Sequence, residues 1–208
     1  MFTLTPQTDN VQFLHALQQG GLTSDWLPFK QSEWIAEKLH GGIPTKSPHA
    51  SGVCNEMSAW MMTKWMKEGP SSRYIAQLDR DDAAQAILGM VEARDSAPAH
   101  VKCDYDYFAY LMSRAGVGTS HNAMVYDTAA KAIDAAKNLG NCAICMHDIN
   151  GPGDGHTIIC SGTHRSVFDP NVGFVRAIGP HLGTILTTIV NTRYPELKKG
   201  AIGIVSCK

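Results

Sequence analysis

The sequence predicts an α+β fold, in which a helical first half packs on an antiparallel β-sheet formed by the second half. Apolar residues recur at helical spacing in the segments 54–68, 83–94 and 104–114. After residue 140 the pattern changes to short runs rich in β-branched residues, separated by glycine, proline and asparagine. Because helices and strands occupy separate parts of the chain, we expect the functional site to lie between the two halves.

The helix that begins at Cys54 is the most informative element. Its apolar residues follow the i, i+3, i+4, i+8 pattern of one helical face: Met57, Trp60, Met61 and Trp65. Gly69-Pro70 ends the helix after about four turns. Cys54 therefore lies in the first turn, where unpaired N–H groups and the helix dipole favour the thiolate.

The remaining elements follow in order along the chain. Asp127 or Thr128 caps a helix that ends at Gly140. The later segments are read as strands at 142–149, 156–161, 164–169 and about 174–178, then a helix over 182–190 and a last strand, Ala201 to Cys207, that closes the sheet.

His156 and Asp169 belong to two of these strands, which we expect to form a hairpin. Gly162-Thr163 has glycine at the first central position, as a two-residue type II′ turn requires. In that register His156 is directly opposite Asp169 on one face of the sheet, with Cβ atoms about 5 Å apart. A slip of one residue would separate the two side chains.

A cysteine, a histidine and an acid in this order suit nucleophilic catalysis. Only the thiolate attacks a carbonyl, so the protein has to lower the pKa of Cys54 from about 8.5, which a paired imidazole such as His156 does. A carboxylate on the other imidazole nitrogen fixes its tautomer and orientation, and Asp169 is the candidate for this role.

These residues resemble the YopT-type cysteine proteases, a family of bacterial type III effectors with a papain-like fold. The resemblance rests on three motifs: Gly52-Val53-Cys54 with Ser58 and Trp60, His156 at the start of an apolar strand, and Phe168-Asp169-Pro170-Asn171 with Gly173. It covers residues 50 to 175 and says little about residues 1 to 40. It implies that Cys54 is the nucleophile, His156 the general base and acid, and Asp169 the orienting acid.

The resemblance also implies a biological setting. We expect a cysteine endopeptidase that cleaves a host protein and reaches the host cell by a type III-like route. A secretion chaperone would be a further partner. The residues near the N-terminus have neither the basic region nor the apolar core of a cleavable signal peptide, and Phe2 stands where N-myristoylation requires glycine.

One feature departs from the papain-like pattern. Such enzymes usually carry an Asn or Gln a few residues before the cysteine, to complete the oxyanion hole, and residues 46–53 contain neither. His49 or Ser51 is the candidate second donor beside the Cys54 N–H. Loss of one such donor typically slows catalysis about 100- to 1,000-fold. Two alternatives therefore stay open: a deamidase or acyltransferase using the same three residues, and an inactive interaction module on the protease scaffold.

Composition limits the other classes of function. The 208 residues, 44% hydrophobic and 18% charged, suit one domain spanning 1–208. A net charge of −1 argues against a nucleic-acid-binding protein, and no apolar run is long enough to span a membrane.

The other candidate sites are weaker. We expect no metal or cofactor, because the six cysteines are scattered and Cys142 and Cys145 would point to opposite faces of a strand. His147-Asp148 is an alternative to His156 as the base, but it lies at the far end of its strand. The glycine-rich loop 150–155 is expected to bound the cleft.

Overall fold

A central sheet organises the structure, which is a computed structural model and describes residues 4–5, 7–39, 53–120, 124–146, 155–197 and 201–208. The α-helices are α1 (Asn10–Gln19), α2 (Gln31–Trp34), α3 (Cys54–Glu68), α4 (Arg73–Leu78), α5 (Asp81–Asp95), α6 (Asp104–Arg114), α7 (Ala129–Ala136) and α8 (Leu182–Arg193). A π-helical turn, Ile35–Leu39, follows α2. The strands are β1 (Thr23–Pro28), β2 (Met124–Tyr126), β3 (Asn141–Met146), β4 (His156–Ser161), β5 (Ser166–Asp169), β6 (Gly173–Ala177) and β7 (Ile202–Cys207).

The seven strands form one sheet in the order β1-β6-β5-β4-β3-β7-β2, and each neighbouring pair is antiparallel. The predicted α+β class is confirmed. The last strand differs from expectation in its position, because β7 lies between β3 and the short strand β2. The edge strands β1 and β2 were not predicted from the sequence.

Helices cover both faces of the sheet. On one face, α3 to α6 form a core with strand residues such as Ala143, Ile159 and Phe168. On the other face, α1, α7 and α8 pack on the alternate residues of the same strands, among them Ile144 and Ile158. Strands buried on both faces read as continuous apolar runs, which explains the composition of β3 to β5. Cys142 and Cys145 belong to opposite cores, as predicted.

The predicted helices are present, but α7 ends at Ala136 and not at Gly140, because residues 137–140 form turns, and α1, α2 and α4 were not predicted. Helix α3 begins at Cys54 and ends before Gly69, whose N–H donates to the Trp65 carbonyl. Thr128 caps α7, because its hydroxyl oxygen accepts a hydrogen bond from the Lys131 N–H. None of the helices in the described ranges combines the length and apolar composition that crossing a lipid bilayer requires.

The predicted two-residue turn between β4 and β5 is wrong. Ser161 pairs with Ser166 and not with His164, so four residues, 162–165, connect the strands. Gly162 does not have the positive φ that a type II′ turn requires. The residue with positive φ in this connection is Arg165, at 53°. Glycine is needed at 162 for a different reason: a Cβ atom there would collide with the backbone carbonyls of Lys137 and Leu139 at the end of α7.

Candidate active site

Three separate elements carry the predicted catalytic side chains. Cys54 is the first residue of α3, His156 the first of β4 and Asp169 the last of β5. All three are buried, with exposed fractions of 6%, 4% and 0%. The side chains therefore meet at one end of the sheet, in surroundings of low dielectric constant where charge interactions are strong.

The imidazole of His156 contacts the carboxylate of Asp169 directly. The Nε2 atom of His156 lies 2.9 Å from Oδ1 of Asp169. The two residues are diagonal neighbours and not direct partners, because the observed register is shifted by two residues from the predicted one. A shift of two keeps every side chain on its original face, so the pair survives although the predicted pairing was wrong.

Tyr194, the residue that follows α8, contacts both His156 and Asp169. Its hydroxyl group lies 2.8 Å and 2.9 Å from the two carboxylate oxygens of Asp169, and 2.8 Å from Nε2 of His156. Its ring stacks on the imidazole, with centroids 4.3 Å apart. Burial and the Asp169 charge raise the pKa of Tyr194 well above its ordinary value. The tyrosine is therefore a neutral donor to the carboxylate.

Backbone groups also hold Asp169 in place. The Asn171 N–H donates to Asp169 Oδ1 over 2.7 Å, in the turn that follows β5. An ionised carboxylate is stabilised by such charge-assisted bonds. The side chain of Asp169 is thus fixed by Asn171, Tyr194 and His156 together.

The surroundings favour a protonated His156. Burial lowers its pKa, but the charge and hydrogen bond of Asp169 raise it, and the Cys54 side chain raises it further, so that the pKa is about 10. An imidazolium at neutral pH stabilises a thiolate beside it. Asp169 and Tyr194 both contact the Nε2 atom of His156 and not its other ring nitrogen, Nδ1.

The thiol of Cys54 lies beside the start of β4. Its Sγ atom lies 4.0 Å from the carbonyl oxygen of Gly155, the residue before His156. Burial raises the pKa of Cys145 well above its ordinary value, and raises that of Cys207 to about 12. Within the described ranges, no group of three or more His, Cys, Asp or Glu side chains is arranged to hold a metal ion.

Polar contacts anchor the first turn of α3. Asn55 donates from Nδ2 to Asp104 at the start of α6, and its Oδ1 accepts from the hydroxyl of Thr157 in β4. Ser58 donates to the Thr157 carbonyl. These contacts join the helix that carries Cys54 to the strand that carries His156, and so fix the distance between the two residues.

An ion pair between buried Glu56 and partly exposed Arg94 also involves the first turn of α3. Glu56 is fully buried, and its Oε1 atom lies 2.6 Å from a guanidinium nitrogen of Arg94. Tyr107 donates to the same oxygen. The Glu56 charge near the helix start would oppose a thiolate at Cys54, and Arg94 compensates for it.

Gln31 is a site residue that the sequence analysis did not identify. It is 8% exposed, and its Oε1 atom accepts a hydrogen bond from the N–H of Val53, which precedes Cys54. Residues 46–53 contain no amide side chain, whereas Gln31 contacts the residue before Cys54 from the start of α2. The candidates His49, Ser51, His147 and Asp148 and the loop residues 150–154 lie outside the described residues.

A polar cavity adjoins the Asp169 end of the site. Its volume is about 600 Å³, and Tyr194, Asn171 and Arg193 form part of its lining. Lys30 and Glu33 of the α2 segment lie on the same cavity. A ligand that occupied the cavity would touch two residues hydrogen-bonded to Asp169.

Comparison with known proteins supports the fold. No family model and no curated protein sequence matches the chain. The structure is similar to the crystal structure of the Pseudomonas avirulence protein AvrPphB, with a TM-score of 0.55 and 12% sequence identity over 82% of this chain and 99% of that one. AvrPphB is a YopT-family cysteine protease, so the fold implied by the sequence motifs is confirmed. The present chain accordingly has the papain-like α+β fold.

Proposed function

We propose that this chain is a cysteine endopeptidase in which Cys54 is the nucleophile, His156 the general base and acid, and Asp169 the orienting acid. The observation that carries the proposal is the 2.9 Å contact of buried His156 with Asp169, together with the influence of the Cys54 side chain on the same imidazole. The papain-like scaffold supports the same assignment, since the nucleophile starts a helix and the imidazole starts a strand.

Acylation uses the thiolate–imidazolium pair. The Cys54 thiolate attacks the carbonyl carbon of the scissile peptide bond, an S–C bond forms, and the π electrons move to the carbonyl oxygen. The oxyanion collapses, the C–N bond breaks, and the imidazolium of His156 gives its proton to the leaving amine. The products are a thioester on Cys54 and a neutral imidazole.

Deacylation restores the enzyme. Neutral His156 takes a proton from water, which attacks the thioester carbonyl, and the C–S bond breaks to release the acid and the Cys54 thiolate. Asp169 stays ionised throughout and stabilises the imidazolium that forms. Its contacts with Tyr194 and Asn171 hold the carboxylate group in position.

We propose a protein of a host cell as the substrate, with delivery by a type III-like route and a secretion chaperone as a partner before export. The similarity in fold to an avirulence protein of a bacterium supports this setting. Of the other two candidates, a glutamine deamidase or acyltransferase modifies a target protein without shortening it, and an inactive interaction module leaves it unchanged.

The test is to incubate proteins from host cells with the wild-type chain, with Cys54→Ala and with Cys103→Ala as the control. Mass spectrometry then identifies new N-termini, which mark cleavage, and measures the intact masses of the target proteins. The proposal expects new N-termini with the wild type and with Cys103→Ala, and none with Cys54→Ala. A target of unchanged length that carries an amide-to-acid change or an added group would support a deamidase or acyltransferase. No change in any protein would favour the interaction module.

A further inference from the structure

Asn10, the first residue of α1, joins three segments that lie far apart in the chain. Its side-chain amide has two N–H groups, and Nδ2 donates to the Phe29 carbonyl over 2.5 Å and to the Asn171 carbonyl over 2.7 Å. The amide oxygen accepts a hydrogen bond from the Arg193 guanidinium over 3.3 Å. One side chain therefore connects α1 to the end of β1, to the turn after β5 and to the end of α8.

Two of these partners adjoin the groups that hold Asp169. Asn171, whose carbonyl accepts from Asn10, donates its own N–H to Oδ1 of Asp169. Arg193 directly precedes Tyr194, whose hydroxyl group contacts both carboxylate oxygens of Asp169. Asn10 thus links the two segments from which the carboxylate is held.

The turn after Asp169 is bound through three consecutive carbonyl groups. The Pro170 carbonyl accepts from the Gln31 N–H over 2.8 Å, and the Val172 carbonyl accepts from the Phe29 N–H over 3.1 Å. The carbonyl between them is that of Asn171, and its partner is the Asn10 amide. A change at Asn10 therefore releases the one residue of this turn whose N–H donates to the catalytic acid.

Helix α1 is attached to the fold by other contacts as well. The Thr8 carbonyl accepts from the Arg193 guanidinium over 2.6 Å, and this guanidinium lies over the ring of Phe13, 4.7 Å from its centroid. Phe13 is fully buried in the core that α1 shares with α8. These contacts do not involve the Asn10 side chain, so the helix keeps its place when that side chain is changed.

We infer that Asn10 is a positioning residue, whose amide holds the Asn171 turn and the Arg193–Tyr194 segment where they keep Asp169 aligned with His156. This inference rests on the proposed thiol mechanism. His156 exchanges protons in acylation and deacylation, and a small displacement of such a group slows the reaction. Asn10 acts through Asp169 and not on the reacting atoms.

The experiment measures acylation of Cys54 by a p-nitrophenyl ester, in which an S–C bond forms, the ester C–O bond breaks and p-nitrophenolate leaves. Asn10→Ala should slow acylation about tenfold, the equivalent of one lost hydrogen bond. Asn10→Asp keeps an oxygen for Arg193 and suits a helix start, but it has no N–H groups for Phe29 and Asn171, so acylation should fall at least as far. Asn138→Ala is the matched control, since this exposed amide donates to the Asp134 carbonyl of α7, and it keeps the wild-type rate.

The same changes in an Asp169→Ala background separate positioning from a general structural effect. With no carboxylate to position, Asn10→Ala and Asn10→Asp should alter the remaining acylation rate by less than about twofold. Circular dichroism gives the folded fraction to which each rate is referred, and Asn10→Asp alone completes the comparison if Asn10→Ala does not fold.

An equal fall in both backgrounds, or an unchanged rate in the Asn10 variants, overturns the inference. Failure of the proposed function gives a different result, in which the wild type acylates no faster than Cys54→Ala, and the inference falls with it.

Discussion

The hydroxyl group of Tyr194 lies within 2.9 Å of both carboxylate oxygens of Asp169 and also contacts Nε2 of His156. One tyrosine from the end of α8 therefore fixes both members of the pair that we propose to activate Cys54. The ring adds a second constraint because it stacks on the imidazole. Removing the hydroxyl alone separates these two contributions.

Tyr194→Phe is expected to slow acylation of Cys54 by a p-nitrophenyl ester about tenfold, which corresponds to about 1.4 kcal/mol, a typical net value for one hydrogen bond. Tyr194→Ala should slow acylation further, because the ring that stacks on the imidazole is lost too. Tyr126→Phe, whose hydroxyl contacts only Met124 in the described part of the chain, is the control. Unchanged acylation in Tyr194→Phe, with lower thermal stability, would show that the hydroxyl acts only in folding.

Substitutions of the three proposed catalytic residues should differ in severity. Cys54→Ala removes the nucleophile and abolishes acylation. His156→Ala removes general acid–base catalysis and should reduce it about 100- to 10,000-fold. Asp169→Asn keeps the shape of the acid but not its charge, and should be the mildest of the three, because Asp169 orients and does not react.

The exposed Asp127→Asn is the matched control for the loss of a carboxylate, since Asp127 pairs only with Lys131 among the contacts described. Circular dichroism should show that each variant is folded. If Asp169→Asn proved more damaging than His156→Ala while both remained folded, the assignment of orienting acid and base would be wrong.

The raised pKa of His156 predicts how stability depends on pH. The folded-state pKa is about 10 and the ordinary value is 6.5, so the folded protein binds the proton more tightly. The resulting stabilisation is fully present below about pH 6.5 and is lost as the pH rises through about 10. Asp169 and Cys54 both raise the pKa of His156, and Asp169 has the larger effect. The effect of Asp169 remains when Cys54 is replaced.

Urea unfolding of Cys54→Ser and of the double variant Cys54→Ser, His156→Gln measures this effect without the titration of the thiol. The free energy of unfolding of the first, relative to the second, should decline across the interval from pH 6.5 to about 10. A difference that stays constant or grows with pH would mean that His156 is neutral in the folded protein.

Gly173 is expected to control the position of the turn that carries Asp169 and Asn171. It has a φ of 121°, and a Cβ atom there would collide with backbone atoms of Leu27 and Pro28 in β1 and of Phe29, which follows it. Gly173→Ala should therefore destabilise the fold by roughly 3 kcal/mol or more, since both backbone strain and a backbone collision oppose it.

Gly89→Ala is the control for the same chemical change. Gly89 lies within α5, and a Cβ atom there meets nothing within 4 Å. Alanine is the better helix former by about 1 kcal/mol, so this variant should be more stable than the wild type. Equal effects in thermal unfolding at the two positions would contradict the close approach of β1 to Gly173.

Most of the framework could be predicted from local patterns in the sequence. The i, i+3, i+4 spacing of apolar residues fixed the range of α3, and glycine and proline marked its end. The hairpin register could not be predicted, because the turn is closed by Arg165 with positive φ, a residue that seldom adopts it. Gly162 was needed for contact with α7, and contacts between distant segments are not visible in local sequence.

In the site, too, some features could be predicted from local sequence and others depend on contacts between distant segments. Strand alternation was sufficient to predict that His156 and Asp169 meet, since it preserves the face of each side chain even when the register shifts by two. Tyr194 and Gln31 approach from elements far along the chain in either direction. A tyrosine before Pro195 at a helix end, and a glutamine before the weakly amphipathic segment 32–39, carry no pattern that points to a catalytic site.

The central claim is that His156 and Cys54 form a thiolate–imidazolium pair, and limited alkylation at mildly acidic pH tests it most directly. Iodoacetamide is added in small excess, and the six cysteines are followed by peptide mass mapping in the wild type and in His156→Ala. The account predicts that Cys54 is labelled first, because an imidazolium partner keeps its thiolate populated, and that His156→Ala slows this labelling. Earlier labelling of another cysteine, or an unchanged Cys54 rate in His156→Ala, would contradict the account.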